Sequence, residues 1–382
     1  ARFKDGYGPV GAWFLLFKAK TLNGLGEGYV GSDAAKAELE KYAPYGTAAI
    51  TPTCLRNHLM LFEMKEGRGP VMMDTITALE TLGGSVSKKE FKALESEAWE
   101  DFLDMTCGQA NLWCATNTEP EKKNSEIMPT EPYLLGSHSG CCGLWTSGPD
   151  YDWVPEEYKI RYKDKVYNRM TTVNGLFTSG DGVGASGHKF SSGSHAEGRI
   201  CAKSMARFVR DNADFTPTLS QSKEELVDLV YKPVRTFLDN CDYTTAIDIN
   251  PEYLKPEGMM YRLMKATHEY GAGTATYYMT NSKSLEIVMD MLLMMREDCE
   301  KLAAGDLHEL MRAWEIEHRI WTVESHLRHI QFRKETRYPG FYYQSDYPGQ
   351  DDENWFCFVN SKYDPKAKEW DIFKKDYIQI IP

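Results

Sequence analysis

Residues 175–199 read Gly-Leu-Phe-Thr-Ser-Gly-Asp-Gly-Val-Gly-Ala-Ser-Gly-His-Lys-Phe-Ser-Ser-Gly-Ser-His-Ala-Glu-Gly-Arg. A short apolar strand ends at Gly180-Asp181, a Gly/Ser loop follows, and a helix starts near Ser194. That order suits an anionic or electron-rich ligand. A carboxylate at the strand end can hold sugar hydroxyls, and the free amides of a first helical turn face negative charge. A surface loop rich in Gly and Ser is the other reading of the same letters, and composition alone does not separate the two.

Around this stretch the chain has 382 residues, enough for about two or three domains, and 42% hydrophobic content supplies more than one buried core. Lys plus Arg number 44 and Asp plus Glu 56, so the net charge of −12 opposes nonspecific attraction to nucleic acid or anionic lipid. The longest clean apolar run, Val10 to Phe17, is far short of the roughly 18–20 residues that cross a bilayer. The opening Ala1-Arg2-Phe3-Lys4-Asp5 has no basic segment followed by an apolar one, as a secretory signal would. Nine cysteines, with no Cys-x-x-Cys pair and two adjacent at Cys141-Cys142, read as reduced, mostly apolar fillers in a cytoplasmic protein.

The first 130 residues mix turn chemistry with short apolar runs and one clear helix, an α+β texture. That helix opens on the capping box Ser87-Lys88-Lys89-Glu90 and carries Phe91, Leu94, Ala98, Phe102 and Met105 at three- and four-residue spacing. A polar stretch from Asn117 to Pro132 breaks the pattern and marks a domain crossing. A second capping box, Ser222-Lys223-Glu224-Glu225, begins helical periodicity that lasts to about Arg333. Leu285, Val288, Met289, Leu292 and Leu293 form one expected apolar face; Leu307, Leu310, Met311, Trp314 and Trp321 form another, their Met and Trp residues read as core. Phe341 to Pro382 is aromatic, turn-rich and too irregular for a long helix.

Three further constellations can carry chemistry. Gly136-Ser137-His138-Ser139-Gly140 places a histidine among residues that admit close approach, although a lone histidine is more often structural. Arg2 precedes the apolar run Ala12 to Phe17, with Arg56 a second cation; both also read as solvated surface charges. The helix Glu315 to Arg337 carries Glu315-x-x-His318, half of a di-iron carboxylate pattern, and His326 with His329 one turn apart. No second Glu-x-x-His or third ligand accompanies them, so a basic face for docking an acidic surface or anion is the better expectation, and no metal site is assigned.

The Gly175–Arg199 block, with Arg333-Lys334-Glu335-Thr336-Arg337 and Asp346-Tyr347-Pro348 downstream, resembles the flavoproteins of the fumarate reductase and succinate dehydrogenase family. Within it, Arg2 to Trp13, Cys54 to His58, Gly136 to Gly140 and His308 to Glu315 resemble the adenylylsulfate-reducing branch, and the similarity runs over essentially the whole chain. The resemblance implies an α+β fold in three parts: a capping domain that holds substrate over 1–130, the carboxy-terminal segment of a Rossmann-like FAD-binding domain over 131–215, and a helical carboxy-terminal domain over 216–382. The family's G-x-G-x-x-G unit, which grips the FAD pyrophosphate, has no counterpart here. The chain is therefore expected to be a partial sequence without the amino-terminal FAD-binding half, binding FAD poorly or not at all by itself.

The resemblance also implies an activity: two-electron reduction of adenylylsulfate to sulfite and AMP through a flavin N5-sulfite adduct, run in either direction. By similarity Arg2 and His138 stand at the sulfur centre, with His138 a proton donor. Arg56 holds the nucleotide's charge, and Phe14 and Leu15 wall the adenosine. Asp181 binds the FAD ribityl hydroxyls, while Ser192, Gly193 and Ser194 face the flavin pyrimidine ring. Electrons are expected from an iron-sulfur beta subunit holding two 4Fe-4S clusters, since no cysteine spacing in this chain suits one. Two other readings remain. One is a dicarboxylate oxidoreductase of the same superfamily, whose substrate arginine and histidine also suit; the other is a non-catalytic docking fragment.

Overall fold

A computed structural model describes residues 143–183, 190–243, 250–337 and 342–376, with shorter stretches at 61, 64–67, 72–73, 76, 84, 86–93, 96, 107–119 and 122–126. The chain divides into two compact units, one of Glu131–Cys241 and one of Ala1–Thr130 with Asp242–Pro382. The described content is α+β, and no helix among the described residues is long and apolar enough to cross a membrane.

Early in the chain, a helical stretch over 88–93 begins where the Ser-x-x-Glu spacing puts it. The Glu90 amide donates to Ser87 Oγ at 3.3 Å, and the Phe91 amide to the Ser87 carbonyl at 2.8 Å. Strand β1 (Met72–Met73) pairs antiparallel with β2 (Ser125–Glu126). Helix α1 (Cys107–Ala115) lies between them in sequence and buries Trp113.

In the Glu131–Cys241 unit, β3 (Arg161–Tyr162) and β4 (Lys165–Val166) form a two-residue hairpin. Its turn residues Lys163 and Asp164 both have positive φ, +46° and +63°, as a type I′ turn requires. Helix α2 (Phe190–Asp211) packs Phe208 onto Tyr167 and Met170, with Tyr162, Phe177 and Phe215 around them. Phe208 meets Tyr167, Phe177 and Phe215 edge to face at 5.0, 5.8 and 5.3 Å, the arrangement ring quadrupoles favour. Helix α3 (Lys223–Val230) opens on the complete capping box. The Glu225 amide donates to Ser222 Oγ at 3.2 Å, and the Ser222 amide donates back to Glu225 Oε2 at 2.7 Å. Helix α4 (Lys232–Asn240) follows directly, with Pro233 in its first turn.

The later part of the other unit is built on three helices. Helix α5 (Pro256–Tyr270) starts on a proline, which costs no hydrogen bond at that position. Strand β5 (Met279–Thr280) leads into α6 (Ser282–Asp298), capped by Asn281, and α7 (Leu307–Phe332), capped by Asp306. Met259, Leu263 and Ala266 of α5, Leu285, Val288 and Leu292 of α6, and Leu310, Ile316, Ile320 and Leu327 of α7 are buried where these helices pack. Strand β6 (Tyr343–Gln344) pairs parallel with β5. A short helix α8 (Asp352–Trp355) then precedes a long hairpin of β7 (Cys357–Asp364) and β8 (Glu369–Asp376), in register from Cys357 opposite Asp376 to Asp364 opposite Glu369.

One expectation needs correction here. Leu293, Leu307 and Met311 are exposed, at 44%, 70% and 48%. The buried stripe of α7 is Leu310, Ala313, Ile316, Ile320, Glu324 and Leu327, about one residue's rotation from the expected face, because Leu307 sits at the helix start and Met311 turns away from α5 and α6. The described residues after Pro339 hold no long helix, as expected, and form two eight-residue strands held by each other rather than by a strong period-two pattern.

Cys299, in a short turn after α6, has its thiol pushed up to about 12, first by burial and then by the charge of Glu317. At pH 8 it should therefore hold roughly a thousandfold less thiolate than an ordinary cysteine. Labelling with a disulfide reagent followed by peptide mapping should modify exposed Cys114 well before Cys299; equal rates for the two would contradict this.

Candidate flavin-side site

The Gly175–Arg199 stretch is held by a row of single bridges in the Glu131–Cys241 unit: Met170 opposite Phe177, Thr146 opposite Thr171, and Leu144 parallel to Val183. The run ends in a 3₁₀ turn over Gly180–Gly182, closed by the Val183 amide on the Gly180 carbonyl at 3.1 Å. The expected strand is thus a set of isolated bridges, because each neighbouring segment meets it only briefly. Gly180 takes φ +63°, and a Cβ there would stand 3.4 Å from Ser194 Oγ. A Cβ on Gly182 would run into Thr178 Oγ1. Glycine is thus required at 180 by its positive φ and at 182 by the Thr178 hydroxyl.

Helix α2 begins at Phe190, four residues before the expected start at Ser194. Ser191, Ser192 and Gly193 are weak helix formers and read as loop, but a 22-residue helix anchored at Phe208 carries them. The backbone of Ser192 consequently lies in the first turn, where amides have no acceptor within the helix. Gly193, which is buried, and Ser194, which is exposed, lie just beyond it. Asp181 is in the middle of the 3₁₀ turn. These residues fit FAD in one respect: a glycine-containing turn packs against the second turn of a helix whose first-turn amides favour negative charge.

Two residues not singled out from the sequence join these elements. Arg169 donates from Nε to Glu197 Oε2 at 2.5 Å and from Nη2 to Oε1 at 2.9 Å, a bidentate pair with the side chains 19% and 13% exposed. Arg169 Nη1 also donates to Asn168 Oδ1 at 3.0 Å. The Arg169 backbone is at φ +69°, unusual for a residue with a Cβ and costing about 1 kcal/mol or more. It is held by the Arg169 amide on the Ser147 carbonyl at 2.9 Å and the Thr178 amide on the Arg169 carbonyl at 3.3 Å. Twenty-eight residues separate the pair, so no local spacing announces it.

Arg2, Phe14, Leu15, Arg56 and His138 lie outside the described residues. No group of three or more potential metal ligands occurs among the described residues. Glu315 of the Glu-x-x-His pattern accepts from Arg312 Nη1 at 2.6 Å, and His329 Nδ1 lies 2.6 Å from the Ser325 carbonyl.

The expected basic docking face on α7 is reduced, because three of its arginines are paired within the fold while Arg319 and Lys334 stay exposed. Arg328 pairs with buried Glu324. Arg333 and Arg337 both reach Glu335, which is fully buried, and Arg337 adds Asp352 at 2.7 Å. The Asp351 amide donates to Glu335 Oε2 at 2.9 Å, and Arg333 caps the Trp355 and Cys357 carbonyls. The Arg333–Arg337 motif is thus a knot that ties the end of α7 to α8 and β7. The downstream Asp346 accepts from both the amide and hydroxyl of Ser282 at the start of α6, bonds that hold its carboxyl below the usual range.

No family model matches the sequence. The chain is 59% identical, over its whole length, to the adenylylsulfate reductase alpha subunit of Megalodesulfovibrio gigas, and spans 58% of that relative's length. It is 52% identical to a solved adenosine-5-phosphosulfate reductase in complex with sulfite as a covalent adduct, with a TM-score of 0.85, covering 100% of this chain and 59% of that one. A quinol-fumarate reductase structure, at 13% identity and TM-score 0.54, shares the fold over 93% of this chain and 58% of its own. Along its whole length, therefore, the chain matches the adenylylsulfate reductase alpha subunit, on a fold that a quinol-fumarate reductase also has.

Proposed function

We propose that this chain works, within its flavoprotein, in the reversible two-electron reduction of adenylylsulfate to sulfite and AMP. The observation that carries the reading is the 59% identity along all of its length to an adenylylsulfate reductase alpha subunit. A sulfite adduct in a relative of the same fold supports it. FAD, when bound, supplies the two electrons. They go to sulfur as the bond between sulfur and the bridging oxygen breaks, and that oxygen leaves with AMP. The work of this chain's residues is to bind, orient and neutralise.

In this reading Arg2 offsets negative charge gathering at the sulfate and the departing phosphate, and His138 delivers a proton there. Arg56 holds the nucleotide phosphate, while Phe14 and Leu15 exclude water from the adenosine. Asp181 takes ribityl hydroxyls, and the backbone around Ser192, Gly193 and Ser194 places helix-start amides toward the flavin pyrimidine edge. The parts played are a substrate-capping domain over 1–130, a flavin-binding segment over 131–215 and a helical domain over 216–382. Electrons come from an iron-sulfur beta subunit with 4Fe-4S clusters, in the cytoplasm.

Titrating the full-length gene product with sulfite and then AMP tests the reading. Sulfite should bleach the flavin absorption band, and AMP should alter the bleached spectrum. A flavin indifferent to both would turn the assignment to a dicarboxylate, and a protein that binds no flavin would leave a docking role.

A further inference from the structure

We propose that Arg169 and Glu197 form a positioning clamp that sets the first turns of α2 against the Gly180–Gly182 turn, and so holds the flavin-side backbone in register. The inference rests on the flavin reading above. Neither residue is assigned a contact with the cofactor.

Three observations converge on it. First, Glu197 lies one turn beyond Ser194, whose Oγ stands against Gly180, so the ion pair and the glycine approach staple adjacent turns of one helix. Second, the backbone of Arg169 belongs to the same row of bridges that delivers the Gly180–Gly182 turn. Its carbonyl accepts from Thr178 only two residues before Gly180. One guanidinium thus ties the turn-bearing segment to the helix start by a rigid two-pronged fork, which a lysine cannot reproduce. Third, Arg169 keeps φ +69° although the backbone hydrogen bonds at that position could be made by any residue. Glycine would take the same conformation without strain, so the arginine is there for its guanidinium.

The position of the clamp accounts for its use. The core cluster around Phe208 lies toward the far end of α2 and fixes the helix there. A loosened first turn would leave its amides where they are but misaim them by a fraction of an ångström, which is enough to weaken a hydrogen bond to a fixed ligand edge.

The test compares R169K, R169G and E197Q in the full-length gene product, with F208L as a variant that destabilises the same helix from its anchored end. Each is measured for melting temperature, FAD dissociation constant by flavin fluorescence, and flavin reduction potential. R169K and E197Q should weaken FAD binding by roughly tenfold or more and shift the potential. R169G should do so as strongly, even though it relieves the backbone. F208L should lower the melting temperature with little change in the other two. If wild type binds FAD while R169K and E197Q bind it as tightly, at an unchanged potential, the clamp is overturned and the flavin reading stands. Wild type that binds no FAD overturns the flavin reading and the clamp together. Equal FAD weakening in F208L and E197Q would overturn the clamp by showing that general stability of α2 is what matters.

Discussion

Glu324→Ala is expected to destabilise the helical unit by about 3–5 kcal/mol, the cost of removing one partner from a buried ion pair. The Glu324 side chain is 1% exposed and its carboxylate serves three donors. Arg296 Nη1 on α6 reaches Oε2 at 2.8 Å, Arg328 Nε on α7 reaches Oε1 at 2.9 Å, and Trp370 Nε1 on β8 reaches Oε1 at 2.8 Å. Arg296 also lies 3.6 Å from the centre of the Trp321 ring and donates to the Tyr363 hydroxyl at 3.3 Å. Truncation would leave two guanidiniums, 22% and 29% exposed, facing each other without a counter-charge. Aromatic contact cannot offset that, since a partly exposed cation–π pair contributes only about 0.5–2 kcal/mol. Glu324→Gln keeps the shape and an acceptor oxygen, so it should lose less than Glu324→Ala. Urea unfolding followed by circular dichroism checks both; a loss below about 1 kcal/mol for Glu324→Ala would mean that water already screens the site.

Under the proposed function, His138→Asn in the full-length gene product should lower turnover of adenylylsulfate by about 10²–10⁴-fold with little change in KM, the range for removing a general acid. On the same proposal, Arg2→Ala should reduce kcat/KM by about 10²–10³-fold, because the charge assigned to it to neutralise would grow as AMP departs. Arg56→Ala should instead act mainly on KM, since charge on the nucleotide phosphate is present before the reaction and after it. The pattern across the three variants matters more than any single value. Equal losses in KM for all three would assign Arg2 and His138 to binding alone. Steady-state kinetics with reduced electron donor, in both directions, separates these outcomes.

Both predictions show how far local reading reaches. The capping boxes at Ser87 and Ser222 were legible because a cap is an i to i+3 relation, complete within one turn. The helices up to Phe332 were legible from spacing, and the flavoprotein family from motifs strung in order. The exact face of α7 was not: rotating a stripe by one residue changes little in sequence periodicity, yet it decides whether Leu310 or Met311 is inside. The start of α2 was missed because Ser and Gly propensities are small terms that packing overrides. The arginines of 328–337 read as a basic surface because nothing local reveals that Glu324 and Glu335 are buried beneath them.

By itself the sequence determined what depends on neighbours along the chain: the capped helix starts after Ser87 and Ser222, apolar periodicity, and the resemblance its motifs carry. Tertiary structure alone decided which charges meet. Arg169 and Glu197 are separated by 28 residues, and Glu324 and Trp370 by 46. The physical reason is range: a cap or a helical stripe is settled within a turn, whereas a buried ion pair exists only where folding has brought distant segments together and excluded the water that would otherwise solvate each charge separately.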